Sequence, residues 1–199
     1  VDEIREDLPK GLEIVDLMST KDFLDASIKN VIKTLFEAIL LVILVVFIFL
    51  QSFRSTIIPT ISIIVSLVGT FAFLMVAGSS LNMITLFALV LVIGTVVDDS
   101  IVVVEAVQAK FDIGYKSAYR ATVDAMEGIS TALVATTFVF MAVFIPVSFM
   151  GGTTGTFYTQ FGLTMAVAVG ISLVNSLTLS PALCALIMTP HADVNAGEK

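Results

Sequence analysis

The sequence predicts an all-α integral membrane protein, a five-span helical bundle, and three observations predict it. Of 199 residues, 57% are hydrophobic and only 14% charged, with a mean hydropathy of +1.04. No soluble domain of this length has that balance. Apolar runs of membrane length recur along the chain, separated by short polar turns. Inside the third of these runs stand two adjacent carboxylates, Asp98 and Asp99. At a helix centre each aspartate is unfavourable by about 2.5–3.5 kcal/mol, so two in succession point to an ion or proton site.

The opening segment, 1–27, mixes acids with short apolar groups and is expected to be an extramembrane tail, the end of a water-exposed domain that belongs to a longer protein. Its polar start lacks the basic-then-apolar pattern of a cleavable signal. The transmembrane bundle is expected over 28–190, with Ser27 as a helix cap. The first span runs over about 31–50, with Lys33 and Glu37 four apart near its start. A tight polar turn, Gln51-Ser52-Phe53-Arg54-Ser55, leads to the second span at about 57–77, with Pro59 in its first turn, where a missing N–H costs little. The third span, about 83–107, carries the aspartates. The charged stretch that follows does not span; a surface amphipathic segment is expected at about 115–127. The fourth span is about 132–150. The fifth, about 161–188, is interrupted by Pro181, which should kink it and free a carbonyl near Leu177.

The net charge of −7 comes largely from the first 27 residues and argues against a nucleic-acid partner; membrane lipid is the expected surrounding. The turns after the first and third spans hold Arg54, Lys110, Lys116 and Arg120, whereas those after the second and fourth hold no basic residue. That asymmetry puts the first set in the cytoplasm, the N-terminal segment outside, and the tail 191–199 inside. A single cysteine, Cys184, reads as a small core residue. The dispersed methionines and the lone His191 offer no metal site.

Small residues recur four apart as Ser62, Ser66 and Thr70, as Gly162, Ala166 and Gly170, and as Ser172, Ser176 and Ser180. Such stripes are the ordinary means of close helix packing in a membrane. Asn175, one step from the serine stripe, lines a polar pathway or makes a plain interhelical hydrogen bond.

Low dielectric disfavours a charged carboxylate, and a second beside it disfavours it further, so Asp98 and Asp99 are expected to act as a buried, coupled proton carrier. Gly94, Thr95, Glu105 and Asn175 are candidate supporting residues; Glu105 either passes protons or is merely solvated. No Lys or Arg occurs between Arg54 and Lys110 or between Arg120 and Lys199. Lys33 lies some ~15–20 Å from the pair by helix rise alone. Either the pair is partly neutral, or its cation comes from outside this chain. No cofactor is expected beyond the proton as coupling ion.

The run Gly94-x-x-x-Asp98-Asp99-Ser100-Ile101-Val102-Val103-Val104-Glu105 resembles the fourth-helix motif of the resistance-nodulation-division (RND) exporters. The resemblance continues in family order through Phe49-Leu50-Gln51-Ser52-Phe53-Arg54, Ile58-Pro59-Thr60, Phe144-Ile145-Pro146-Val147, Gly151-Gly152-x-x-Gly155, Tyr158-x-Gln160-Phe161 and Leu179-Ser180-Pro181-Ala182-Leu183-Cys184-Ala185. It covers about 28–190. Two departures stand out: Ser100, where alanine is common, and Ala106, where asparagine usually follows the glutamate.

The resemblance implies helices two to six of the first half of a twelve-span transporter with an internal repeat. It further implies a proton/drug antiporter of the Gram-negative inner membrane in which the aspartates carry the proton and a lysine from the second half sits between them. A homotrimer, a periplasmic adaptor and an outer-membrane channel are implied as well. The adjacent aspartates favour the branch exporting hydrophobic and amphiphilic compounds. On this reading the chain is not an enzyme, and alone it should not pump. The alternative is an RND-like membrane assembly or protein-translocation subunit that exports no drug; soluble enzyme chemistry finds no motif.

Overall fold

The structure, a computed structural model, describes residues 20–79, 82–152 and 154–190. Among these described residues six helices follow one another: α1 (Thr20–Leu50), α2 (Phe53–Val76), α3 (Met83–Asp112), α4 (Ala118–Ser148), α5 (Gly155–Leu177) and α6 (Leu179–Ile187). Helices α5 and α6 together make one span, so the described residues contain five helices long and apolar enough to cross a membrane. The all-α, five-span expectation holds. Helices α2, α3 and α5 form the centre, whereas α1 and α4 turn most of their surface outward, as lipid-facing helices do.

Besides the end of α3, which runs on to Asp112 where about 107 was expected, four boundaries differ from the sequence reading by more than the ordinary fraying of helix ends. Residues 20–27, expected in the tail, are the first turns of α1, so Ser27 lies inside a helix and caps nothing; the rest of the tail, and 191–199, fall outside the described residues. Helix α2 starts at Phe53 because Ser52 caps it, its side chain accepting from the Ser55 amide at 3.4 Å. Pro59 therefore sits in the second turn, not the first.

The third difference concerns the expected surface segment, which is not a separate element. Ser117 caps α4 and the helix runs unbroken to Ser148. Ala121, Ala125 and Leu133 pack into one apolar core with Val103, Val107 and Phe111 of α3, which holds these turns upright against the bundle. Helix α4 is about 46 Å long at ~1.5 Å per residue, well beyond the ~30 Å hydrocarbon layer. Its charged first turns thus project past the apolar zone beside the last turns of α3. Tyr115 ties the two ends by donating to the Asp124 carboxylate. That bond, with the negative charge behind it, pushes the Tyr115 hydroxyl up from its ordinary range.

Last, α5 begins at Gly155 and stops at Leu177, where Thr178 (φ −121°, ψ −65°) separates it from α6. Pro181 explains the break, since its ring has no N–H and would meet the carbonyl four residues back.

The turn into α2 is tight enough to hold Gln51 at φ 48°. Helix α3 is the most firmly started. Asn82 accepts from the Ile84 and Thr85 amides at 2.9 and 3.1 Å, Thr85 Oγ1 accepts the Asn82 amide at 2.9 Å, and Asn82 Nδ2 donates to Gln160 Oε1 of α5 at 2.6 Å. Replacing Asn82 by alanine removes both cap and cross-link, and should destabilise the bundle by about 1–2 kcal/mol. Thermal unfolding in detergent checks this, with Ser117→Ala, whose cap bond is a long 3.5 Å, expected to shift less.

Two apolar cores divide the interior. One gathers Ile63, Leu67, Leu89, Val92, Ile93, Val96 and Val169 toward the start of α3. The other gathers Ile58, Val103, Val104, Val107 and Cys184 toward its end. Between them lies a layer of hydroxyls.

Candidate functional site

Adjacent residues on a helix point about 100° apart, and α3 uses this to send its two aspartates to different surroundings. Asp99 leans toward α5 and is half-buried, its Oδ2 accepting from Ser172 Oγ at 2.9 Å. The same hydroxyl lies 3.4 Å from the Val96 carbonyl oxygen. Asp98 points the other way and is exposed. The expectation of a buried pair is therefore corrected for this chain: one carboxylate is half covered and the other is open. The reason lies in the face Asp98 occupies. Phe87, Leu91, Gly94, Asp98, Val102 and Glu105 follow one another at helical spacing, and all are exposed. Among the described residues no helix covers that stripe.

The supporting candidates scatter. Gly94 belongs to the open stripe, with nothing within 4 Å of a Cβ placed on it. The Thr95 hydroxyl donates to its own helix, to the Val92 carbonyl at 2.9 Å. Glu105 is exposed on the open face, two turns beyond Asp98. Asn175 is buried, and its Nδ2 donates to Ser66 Oγ of α2 at 2.7 Å, so it makes an interhelical hydrogen bond away from the carboxylates. Among the described residues the ion pair is Lys33 with Glu37 at 3.6 Å, on the surface of α1. The aspartates draw no cation from it.

Ser172 is the residue that sequence reasoning placed in a packing stripe and the structure places on Asp99. The two stripes of the α5–α6 span turn out to do different things. Gly162 and Gly170 meet α4, where the Phe144 carbonyl and the tip of Met141 lie against them. The serine stripe faces α2 and α3: Ser180 Oγ is 2.9 Å from Ser62 Oγ and 3.4 Å from Ser100 Oγ. The available signal was the contrast itself, since hydroxyls repeated where glycine and alanine would allow the same approach offer hydrogen bonds that packing does not need.

Five helices of membrane length around a hydroxyl layer, with a carboxylate at its edge, define a polytopic integral membrane protein. Its sequence narrows that class. The chain belongs to the AcrB/AcrD/AcrF family, which it matches over residues 1–198. It is 45% identical over 188 residues to the multidrug export protein AcrF of Escherichia coli (strain K12), covering 94% of this chain and 18% of that protein. It is likewise 45% identical over 181 residues to the solvent-resistant pump membrane transporter SrpB of Pseudomonas putida, covering 91% and 17%. Over 180 residues it is 45% identical to the multidrug resistance protein MdtF of Escherichia coli (strain K12), covering 90% and 17%. The RND resemblance read from the motifs is thereby borne out, and the chain spans less than a fifth of the length of these relatives.

Proposed function

We infer that this chain is part of the first-half membrane bundle of a proton-driven exporter of hydrophobic or amphiphilic compounds, with Asp98 and Asp99 as its proton carrier. The observation that carries the reading is the open stripe on α3. An aspartate at mid-helix, exposed within a membrane-embedded apolar surface, needs a partner or a proton, and among the described residues it makes no ion pair. The partner is a cation on a helix of the remainder of the transporter. It covers the stripe and pairs with the carboxylates in one state; protonation releases it in another.

The relatives' names, multidrug export, solvent resistance and multidrug resistance, support amphiphilic cargo. The reading includes an inner-membrane location, with the residues before α1 on the periplasmic side and those after α6 in the cytoplasm. It also includes assembly as a homotrimer with a periplasmic adaptor and an outer-membrane channel. The isolated chain, with one face of its acidic helix bare, is inactive.

Reconstitution of the full-length transporter into vesicles with a trapped pH dye tests this. Addition of an amphiphilic cation should drive proton movement in the wild type, and Asp98→Asn and Asp99→Asn should each abolish it. Wild-type vesicles that take up or release no protons with any such compound would overturn the exporter reading in favour of a non-exporting assembly module.

A further inference from the structure

We propose that the hydroxyl layer between the two apolar cores is a proton route, leading from Asp99 through Ser172, Ser176, Ser180 and Ser62 to an apolar plug, beyond which a polar mouth opens at Gln108. It rests on Asp99 being a proton carrier. The register of three helices argues for it. Ser62, Ser100 and Ser180 meet at one level. One turn on, in the same direction on each helix, stand Ile58, Val104 and Cys184, all fully buried. Another turn on, Ser55, Gln108 and Met188 line a pocket of about 30 Å³ together with Arg54 and Thr189. Arg54 Nη1 donates to Thr189 Oγ1 there at 3.1 Å. Polar, apolar and polar layers thus succeed each other, with a plug about one turn, ~5.4 Å, thick.

Packing alone does not account for the route, because one polar atom on each side of the plug has no partner. Ser176 Oγ, fully buried, one turn from Ser172 and across the Thr178 break from Ser180, makes no hydrogen bond, and neither does the buried Gln108 Oε1 on the far side of the plug. A buried hydroxyl or amide left unpaired is unfavourable, Gln108 lines the small mouth pocket, and a water bound at each atom would satisfy it. A water on Ser176 bridges the gap in the chain between Ser172 and Ser180.

Transfer then balances simply. Protonated Asp99 gives its proton to the Ser172 oxygen as that hydroxyl passes its own proton to the bridging water. The relay continues through Ser180 and Ser62, and each hydroxyl ends as it began. One proton leaves the carboxyl; one emerges in water at the Gln108 mouth whenever the plug is wetted.

The test is proton flux in vesicles containing the full-length transporter. Ser176→Ala and Ser180→Ala should slow substrate-driven flux about tenfold, roughly one hydrogen bond's contribution to a barrier, at unchanged substrate binding. Ser180→Thr, which keeps the hydroxyl, should restore it. Cys184→Ser puts a hydroxyl into the plug and should raise proton leak without substrate severalfold, an effect that a packing role would not produce. Alanine variants with wild-type flux, or Cys184→Ser with no added leak, overturn the route. Asp99→Asn separates the two levels: a coupled Asp99→Asn transporter overturns the underlying reading, whereas a silent one beside fully active serine variants overturns the route alone.

Discussion

Cells lacking their own pumps and expressing the full-length transporter with Asp99→Asn should be as drug-sensitive as cells with no transporter, transport falling about 100-fold or more, the scale on which removing a proton-transferring group acts. Asparagine keeps the size and the bond from Ser172 Oγ, 2.9 Å from the carboxylate in the native chain. It removes only the capacity to take up and release a proton. Fold and membrane abundance should therefore match wild type, which immunoblotting verifies. Asp98→Asn should be equally inactive for a different reason: its carboxylate is exposed on the open stripe, where the proposed cation would pair with it, and its loss would then uncouple transport from protonation. Resistance retained by both variants at matched abundance would leave the aspartates a structural role.

The second large effect is on folding. At Gly162 the backbone of α5 lies close against α4. A Cβ there would lie 2.6 Å from Ser148 Oγ, 2.8 Å from the Phe144 carbonyl oxygen and 3.2 Å from the Ser148 amide. Two of these are backbone atoms, which cannot swing aside, so the helices must part. Gly162→Ala should destabilise the bundle by about 1–3 kcal/mol, and Gly162→Leu should leave no folded protein. Gly170→Ala is the control: its nearest neighbour is the flexible tip of Met141, at 2.8 Å, which can rotate away. Thermal unfolding in detergent separates the two, and equal stability of Gly162→Ala and Gly170→Ala would refute the close approach.

Much of this molecule was readable from the chain because in a membrane the sequence states its own solvent. Uninterrupted apolar runs gave the five spans, and Pro181 located the break in the last. The charged stretch near Arg120 misled about α4. Its polarity suggested a helix lying on the membrane, but Ala121 and Ala125 had α3 to pack against, and a helix longer than the bilayer projects its charges into water while staying straight. The two aspartates of the site were legible and the hydroxyl that meets one of them was not. Two aspartates within an apolar run identify themselves by their cost, whereas Ser172 is one hydroxyl among many until α5 is laid beside α3.

The sequence by itself determined that this is a membrane bundle, which helices compose it, and that an acidic pair stands inside its third span. Each of these follows from the price of polar groups in hydrocarbon, and that price is local. Only the tertiary structure decided that Asp98 and Asp99 part company, one toward Ser172 and one onto a bare stripe. It alone aligned Ser62, Ser100 and Ser180 at one level, with Ile58, Val104 and Cys184 a turn below. Such meetings depend on the rotation and offset of packed helices, which are set in part by where Gly162 lets α4 and α5 touch and where Pro181 breaks the last span, and helical periodicity within one segment carries no record of them.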